Sequence, residues 1–170
     1  MNYNLFPGEP ELHAAKILII DDEETYVRTL EWVLRQANFL NFRSLTDSAG
    51  AREAFALFQP DLVLLDLYMP GLDGFALLKQ IRESETAEDF LPVLVLTGDS
   101  ASDTRRRALA AGATDFLGKP VDYAEVILRM KNLLQTRFLH RQALVLQARI
   151  VSLTATLGDR AQSRPDRKSE

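Results

Sequence analysis

The sequence predicts an α/β fold: a doubly wound, five-stranded parallel sheet with helices on both faces, followed by a long C-terminal helical extension. Three observations predict it. Short β-rich runs alternate with longer helical patterns between residues 16 and 121. Three of these runs are continuously apolar, as expected for parallel strands that are covered on both faces. From residue 122 onward the pattern becomes helical and stays so for about 35 residues.

The predicted elements follow one another in regular alternation. Capping side chains at residues 46–48 precede the second helix, Leu72-Asp73 leads into the third, and Gly112 suits the left-handed end of the fourth. The predicted strands are Lys16–Ile20, Leu40–Ser44, Leu62–Asp66, Val93–Thr97 and Thr114–Leu117. The predicted helices between them cover residues 23–37, 47–58, 73–83 and 102–111.

The long C-terminal helix has two parts with different apolar patterns. The first part carries a stripe that can pack on the sheet, formed by Val121, Ile127, Met130 and Leu134. The second part carries six apolar positions at the alternating spacing of a coiled-coil seam, namely Leu139, Ala143, Leu146, Ile150, Leu153 and Leu157. This seam favours pairing with another chain. The alternative is a helix that folds back onto its own domain.

The chain is expected to consist of four segments, some folded and some flexible. Residues 1–15 are predicted to form a flexible leader and residues 16–134 the main domain. Residues 135–158 form the helical extension, a possible coiled coil, with Gly158-Asp159 as its expected stop. Residues 159–170 are polar without an apolar anchor, which predicts a disordered tail.

Composition excludes several classes of protein. The chain has 170 residues, of which 46% are apolar and 26% charged, as in an ordinary globular protein. The absence of cysteine excludes a disulfide framework, a thiolate metal site and a cysteine nucleophile. No apolar run approaches the roughly 20 residues of a membrane helix, and the first dozen residues lack a secretory pattern. We therefore expect a cytoplasmic protein without membrane contact.

Charge is distributed unevenly along the chain. Residues 1–121 carry 11 Lys/Arg against 19 Asp/Glu, a net charge of -8, whereas residues 122–170 carry 9 against 5, a net charge of +4. The first part is therefore an acidic domain and the second a mildly basic appendage. Nine basic residues spread over 49 positions do not predict direct binding of nucleic acid.

Polar side chains mark the carboxyl ends of the predicted strands. Asp21 and Asp22 follow the first strand, Asp66 ends the third, Thr97 ends the fourth, and Lys119 follows the fifth. Ligands of open parallel sheets bind at this edge, and clustered carboxylates favour a hard divalent cation such as Mg²⁺. We predict a magnesium site that places a phosphoryl group on Asp66, which stands alone at the end of a central strand. The alternative is that each acid only caps the helix after its strand.

Four segments resemble the receiver domain of two-component response regulators. They are ILIIDDE at 17–23, LVLLDLYMPGLDGFALL at 62–78, PVLVLTG at 92–98 and AGATDFLGKPVD at 111–122. The resemblance covers about residues 16–134 and implies the flavodoxin-like strand order 2-1-3-4-5. It also implies a phosphoacceptor signalling domain rather than an enzyme, with self-phosphorylation from small phosphodonors and autodephosphorylation as its only chemistry.

The resemblance implies a role for each residue of the site. Asp66 is the phosphoacceptor and also contacts Mg²⁺. Asp22 resembles the direct Mg²⁺ ligand, Asp21 the acid that acts through water, and Tyr68 the residue whose backbone carbonyl is a further metal contact. Lys119 pairs with a phosphoryl oxygen.

The same resemblance implies a switch. Thr97 hydrogen-bonds the phosphoryl group, and Phe116 turns inward on activation. Lys119-Pro120 is the family's cis peptide, and the residues at Tyr68 and Asp99 influence how fast the acyl phosphate hydrolyses. The predicted output surface is formed by the fourth helix, the fifth strand and the long helix.

Partners and alternatives follow from these assignments. The expected phosphoryl donor is a histidine kinase or a phosphotransfer protein, and the expected second partner is another copy of the chain, bound through the C-terminal helix. One alternative is the N-terminal receiver piece of a larger regulator with an enzymatic output, such as cyclic-dinucleotide turnover. A remote alternative is a haloacid-dehalogenase-type phosphatase, which requires a second Asp where Tyr68 stands.

Overall fold

The computed structural model describes residues 9–47, 50–84, 90–99 and 101–162. Within these ranges helices and strands alternate along the chain. The helices are α1 (Glu9–His13), α2 (Glu24–Gln36), α3 (Ala51–Phe58), α4 (Gly74–Ser84), α5 (Ser102–Ala110) and α6 (Tyr123–Gln162). The strands are β1 (Ile17–Ile20), β2 (Phe42–Leu45), β3 (Leu62–Leu65), β4 (Tyr68–Met69), β5 (Leu72–Asp73), β6 (Val93–Thr97) and β7 (Asp115–Gly118).

Five strands form the main sheet in the order β2-β1-β3-β6-β7, and each neighbouring pair is parallel. When the short strands β4 and β5 are left out, this is the predicted order 2-1-3-4-5, so the predicted fold class is confirmed. Strands β1, β3 and β6 are buried along their whole length because their continuous apolar sequences face helices on both sides. The direction of winding reverses between β1 and β3, and ligands of such sheets bind at the carboxyl ends of these strands.

Alternate residues of each strand enter opposite core layers, because successive side chains of a strand point to opposite faces. In β1, Ile17 and Ile19 pack with buried residues of α1, α2 and α6. Leu18 and Ile20 pack with buried residues of α3, α4 and α5. Both faces of the sheet are therefore covered, and the polar residues that follow the strands lie at its carboxyl edge.

A short hairpin after β3 was not predicted from the sequence. Strands β4 and β5 pair antiparallel, and the turn between them contains Gly71 with a φ of 81°, a region that favours glycine. Gly74 follows the hairpin and donates its backbone N–H to the carbonyl of Leu67 at 3.1 Å. A Cβ atom on Gly74 would lie only 2.5 Å from the backbone oxygen of Asp66. Glycine therefore allows the start of α4 to lie directly against the backbone of Asp66.

The predicted flexible leader over residues 1–15 is wrong for residues 9–15. Residues Glu9–His13 form the helix α1, and Leu12 and Ala15 are each only 1% exposed. The ring of His13 lies edge-on against the ring of Phe39, with 5.4 Å between the centroids. The apolar side chain of Leu12 buries this segment in the core, although a five-residue helix gives almost no periodic signal in the sequence. Residues 1–8 lie outside the described residues.

The first half of α6 holds the helix against the sheet. Its buried side chains recur every four residues, and none of them is measurably exposed: Val126, Met130 and Leu134. At the end of this stripe the guanidinium of Arg137 donates to Asp61 Oδ1 at 3.2 Å and to the carbonyl of Phe90. The Arg141 guanidinium donates to the same Asp61 oxygen at 3.0 Å. These bonds fix α6 to the lower edge of the sheet, where the strands begin.

From Leu139 onward the predicted seam is exposed to solvent. The exposed fractions are 36% for Leu139, 40% for Leu146, 62% for Ile150 and 54% for Leu153. Because successive residues of a helix are about 100° apart, these positions lie on the side of α6 opposite Arg137 and Arg141. The seam therefore faces away from the domain, and the alternative of a helix folded back onto its own domain is wrong. The side chain of Leu157 lies outside the described residues.

The predicted stop of the extension is also wrong. Helix α6 continues through Gly158-Asp159 to Gln162, for a total of 40 residues. One glycine costs only about 1 kcal/mol inside a helix, which is too little to end a helix whose neighbours favour it. Residues 163–170 of the predicted tail lie outside the described residues. None of the helices in the described ranges combines the length and the apolar character that crossing a membrane requires.

Candidate functional site

Three carboxylates converge where β1 and β3 end. Asp21 and Asp22 follow β1 and Asp66 follows β3, and one carboxylate oxygen of each lies within 4.8 Å of the others. Asp21 is 2% exposed and Asp66 is 6% exposed, whereas Asp22 is open to solvent. The parallel sheet thus brings together the three acids that the sequence identified.

Local backbone bonds hold two of these carboxylates. The N–H of Asp66 donates to the carbonyl of Ile20 at 2.9 Å, which ties the residue to the neighbouring strand. The N–H of Tyr68 donates to Asp66 Oδ1 at 3.1 Å, and the N–H of Glu23 donates to Asp21 Oδ1 at 3.0 Å. Helix α2 begins after Glu23 without a capping side-chain bond. The alternative that these acids only cap the following helix therefore does not account for the cluster.

Lys119 supplies a cation between the two buried acids. Its Nζ atom is 2.7 Å from Asp21 Oδ2 and 2.7 Å from Asp66 Oδ2, and its side chain is 13% exposed. The backbone N–H of Lys119 donates to the carbonyl of Thr97 at 2.7 Å, and the Lys119-Pro120 peptide is cis. Hydrogen bonds between charged partners are among the strongest in proteins. The ammonium therefore offsets the repulsion between Asp21 and Asp66.

In the described part of the site three carboxylates face the ammonium of Lys119, which leaves a surplus of negative charge when all three are ionised. Burial raises the pKa of Asp21, although hydrogen bonds from Lys119 and from the Glu23 backbone act in the opposite direction. Burial alone would lower the pKa of Lys119, but its hydrogen bonds to Asp21 and Asp66 outweigh burial and raise it. Lys119 is therefore held protonated, while ionised Asp21 is only partly compensated. A further cation would stabilise the site.

The donor set fits a hard divalent cation. All three groups offer carboxylate oxygens, the ligands that Mg²⁺ prefers, and Mg²⁺ commonly keeps several waters of its own. Asp22 leaves one side of the cluster open to solvent, where such waters have room. The residues that fit the cation are Asp21, Asp22 and Asp66. The backbone carbonyl of Tyr68 as a further ligand stays a prediction.

Thr97 lies at the end of β6, next to β3, and is fully buried. Its hydroxyl has no hydrogen-bond partner within the described part of the chain. Most buried hydroxyl groups do have a partner, so Thr97 keeps a donor available at the carboxyl edge of the sheet. Phe116 in β7 is 6% exposed and packs in the core layer of α3, α4 and α5, so its ring lies inside in this structure.

A second polar group joins the segment after β3 to the start of α5. The Tyr68 hydroxyl donates to Asp99 Oδ2 at 3.1 Å, and the Thr104 hydroxyl donates to the same oxygen at 2.6 Å. The Asp99 carboxylate also accepts the N–H of Ala101 at 2.9 Å. The hydrogen bond from Thr104, followed by the one from Ala101, lowers the pKa of Asp99. Thr104 was missed from the sequence because nothing in the pattern places it near Tyr68.

Tyr26 was missed as well. The Lys119 ammonium lies over the Tyr26 ring, 4.1 Å from its centroid, so the site has an aromatic side that the strand-end residues do not reveal. Tyr26 belongs to the first turn of α2, and its ring is 6.3 Å from the ring of Tyr123 at the start of α6. Its position depends on how two helices pack beside the loop after β7. The sequence pattern carries no signal for that packing.

Comparison with known proteins gives one consistent result. A family model described as the response regulator receiver domain matches residues 17–131. Response regulator PleD of Caulobacter vibrioides is 36% identical over 125 residues, which are 74% of this chain and 27% of that protein. Transcriptional regulatory protein ResD of Bacillus subtilis is 36% identical over 126 residues, 74% of this chain and 50% of that protein. The chain therefore matches a quarter to a half of the length of these relatives.

Solved structures give the same result for the fold. The receiver domain of the Francisella response regulator 1452 aligns with a TM-score of 0.65 and 25% identity, over 72% of this chain and 98% of that one. The BeF3-activated N-terminal receiver domain of RstA from Klebsiella pneumoniae aligns with a TM-score of 0.64 and 26% identity, over 71% of this chain and 98% of that one. Both alignments leave about a quarter of this chain unmatched.

Proposed function

The chain belongs to the family of response regulator receiver domains, and from this membership we propose that Asp66 accepts a phosphoryl group in a magnesium-dependent reaction. The donor is a phosphorylated histidine of a kinase or phosphotransfer protein. One observation carries the proposal: Asp66 shares a single pocket with two further carboxylates and a lysine that bonds to it directly. Nothing in the family match supports the phosphatase alternative, and Tyr68 stands where that chemistry needs an acid.

The transfer step places each residue of the site in a defined role. A carboxylate oxygen of Asp66 attacks phosphorus, a P–O bond forms and the P–N bond to the imidazole breaks, with its electron pair remaining on the nitrogen. Asp21 and Asp22, together with Asp66 and the Tyr68 carbonyl, would hold Mg²⁺. When bound, the ion supplies positive charge to the phosphoryl oxygens. The Lys119 ammonium gives up its bond to Asp66 and pairs with one phosphoryl oxygen instead.

The phosphoryl group then changes the charge that its neighbours meet. It adds negative charge to Asp66, reaching about -1.5 to -2 in total. The buried Thr97 hydroxyl has no partner among the residues that the structure describes, and the Lys119 ammonium already bonds to Asp66, so both groups follow the new charge. Shifting the equilibrium between the inactive and the active conformation from 1:99 to 99:1 requires about 5.5 kcal/mol. Charge-assisted hydrogen bonds contribute about 1.5–3 kcal/mol each, so a few of them supply this free energy. The proposed output is a rearranged surface of α5, β7 and α6, with Phe116 as its inner side chain.

The second part of the proposal concerns a partner copy. The seam of α6 exposes aliphatic side chains on the side that faces away from the domain. Exposed aliphatic residues at coiled-coil spacing are stabilised when they pair with the same seam of another helix. We therefore propose a homodimer through residues 139–157.

A larger regulator is the alternative that one observation favours, since this chain matches only 27% of PleD and 50% of ResD. In that case α6 leads to an output domain, for example one for cyclic-dinucleotide turnover. A reading frame that continues beyond codon 170 in the gene supports this alternative, and a stop codon there supports the stand-alone dimer.

Labelling with acetyl phosphate and Mg²⁺ tests the acceptor. We expect the intact mass of the wild-type protein to rise by one phosphoryl group, and we expect Asp66→Asn to abolish this rise. The matched control is Asp73→Asn, because Asp73 is an exposed acid of the neighbouring hairpin. Labelling that persists in Asp66→Asn would show that the acceptor is another residue.

A further inference from the structure

Among the described residues, the ammonium of Lys119 contacts two charged groups and one aromatic ring. It donates to Asp21 and Asp66, each at 2.7 Å, and it lies over the ring of Tyr26, 4.1 Å from the centroid. A cation within about 6 Å of an aromatic face is attracted by the ring quadrupole, and the attraction grows when the pair is shielded from water. The Lys119 side chain is only 13% exposed, so this contact is shielded.

The hydroxyl of Tyr26 does not explain why a tyrosine is present. Its oxygen is buried and has no hydrogen-bond partner in the part of the chain that the structure describes. A buried polar atom without a partner costs stability rather than adding to it. What Tyr26 contributes to the site is therefore the face of its ring.

We propose that Tyr26 is a positioning residue for Lys119 during phosphoryl transfer, an inference that rests on the function proposed for Asp66. To reach the incoming phosphoryl group, Lys119 must exchange a bond to a carboxylate for a bond to a phosphoryl oxygen. The ring contact involves neither the carboxylate that Lys119 gives up nor the phosphoryl oxygen that it gains, so the exchange leaves this contact in place. It holds Nζ beside Asp66 while the anionic partners change.

The first test measures the environment of Lys119 without Mg²⁺ or phosphodonor. Limited acetylation with acetic anhydride, read by peptide mass spectrometry, gives the reactivity of Lys119 relative to the exposed Lys79. We expect Tyr26→Phe to keep the wild-type ratio, because it keeps the ring. We expect Tyr26→Leu to raise the ratio about 5- to 30-fold, the factor that corresponds to a contact of about 1–2 kcal/mol. Equal ratios in the Phe and Leu variants would overturn the proposal.

The second test couples Tyr26 to Lys119 in the labelling reaction. We expect Tyr26→Leu to slow acetyl-phosphate labelling about 5- to 30-fold in the wild-type background and to have no further effect in Lys119→Met. Tyr26→Phe is expected to label at the wild-type rate. An equal effect of Tyr26→Leu in both backgrounds would overturn the proposal, because the ring would then act independently of the lysine.

Two further measurements separate a failure of the Tyr26 proposal from a folding defect and from a failure of the function proposed for Asp66. If Tyr26→Leu does not fold, as judged by thermal unfolding, Tyr26→Met replaces it, since methionine fills a similar volume without a π face. If no variant and no wild-type protein is labelled at Asp66, the proposed function fails. The acetylation ratios of Lys119 then still decide whether the ring of Tyr26 holds the ammonium.

Discussion

At the scale of single residues, the unphosphorylated site contains groups that lower its stability. The buried Thr97 hydroxyl has no hydrogen-bond partner in the ranges that the structure describes, and ionised Asp21 is buried with only part of its charge compensated. Residues that serve a transferred group commonly destabilise the protein before the group arrives. Some substitutions in this site should therefore stabilise the unmodified protein, whereas substitutions of ordinary core residues usually destabilise it.

Replacing Thr97 with valine should stabilise the unmodified protein. The change removes a buried hydroxyl that has no partner among the described residues, and it keeps the shape of the side chain. We therefore expect a gain of about 1 kcal/mol in the free energy of unfolding. Urea unfolding monitored by circular dichroism measures it. The matched control is Thr104→Val, which removes a hydroxyl that donates to Asp99 at 2.6 Å and should cost about 1 kcal/mol. A loss of stability in Thr97→Val would contradict the account of Thr97.

Replacing Lys119 with methionine should change how stability depends on pH. The pKa of Lys119 is raised in the folded state, so its contribution is fully present below the unfolded pKa of about 10.4 and is lost as the pH rises through the folded pKa. The wild-type protein should lose this contribution to the free energy of unfolding at alkaline pH, whereas Lys119→Met has no such contribution to lose. At pH 7, Lys119→Met should be less stable by about 3 kcal/mol, because two buried carboxylates lose their cation. Urea unfolding of both proteins between pH 5 and 11 checks this.

A second pH effect follows from Asp21. Its pKa is raised, so the ionised form weakens the folded state, and the loss is relieved as the pH falls through the folded pKa. The deficit of Lys119→Met should therefore shrink toward acid pH. A deficit that stays constant as the pH falls from 7 through the ordinary aspartate pKa of 3.8 would contradict this electrostatic explanation.

The sequence identified most of the site at this scale, for a physical reason. Asp21, Asp22, Asp66 and Lys119 follow strands directly, and parallel strands place their carboxyl ends at one edge. Tyr26 lies inside a helix, where its neighbours depend on the packing angle of α2 against α6. That angle is a property of the assembled core and has no counterpart in a local pattern.

At the scale of elements, the hairpin after β3 determines how closely α4 approaches Asp66. It contains two strands of two residues each, too short to produce an alternating pattern. The glycines at 71 and 74 indicate a turn in the sequence, but they do not indicate that β4 and β5 pair as strands. Helix α1 was not predicted for the same reason. Its five residues make fewer than two helical turns, which is too short for a periodic pattern.

Gly74→Ala should disturb both the fold and the site. Its Cβ would lie 2.5 Å from the Asp66 carbonyl oxygen and 2.6 Å from the Leu67 Cα, and backbone atoms cannot move aside cheaply. We expect a loss of about 2–3 kcal/mol in the free energy of unfolding, measured in urea, and slower labelling of Asp66. The matched control is Gly98→Ala, where a Cβ meets no atom of the described residues within 4 Å. Equal stability of the two variants would contradict the close approach.

At the scale of the whole molecule, the chain consists of an acidic domain and a helix that carries an exposed seam away from it. The sequence predicted this division because a change in periodicity and a change in net charge coincide near residue 122. It did not predict the direction of the seam. That direction is fixed by Arg137 and Arg141, which bond to Asp61 more than 75 residues earlier in the chain.

Dimerisation through the seam can be tested with single substitutions. Size-exclusion chromatography with light scattering should give a dimer for the wild-type chain and a monomer for Ile150→Glu, because a charge at the centre of the seam opposes pairing. Val145→Glu is the matched control. Val145 is 68% exposed but lies about 120° from the seam, so this variant should stay dimeric. A wild-type monomer, both with and without beryllofluoride and Mg²⁺, would exclude the dimer and leave the proposed phosphoacceptor site unaffected.

Mapping the phosphoryl group on the protein tests the central claim most directly. Wild-type protein treated with acetyl phosphate is reduced with borohydride, which converts an acyl phosphate to an alcohol, and is then digested and sequenced by mass spectrometry. We expect one modified position, residue 66, and no modification when a chelator removes Mg²⁺. Modification at Asp21 or Asp22 in place of Asp66, or labelling of the same extent with the chelator present, would contradict it.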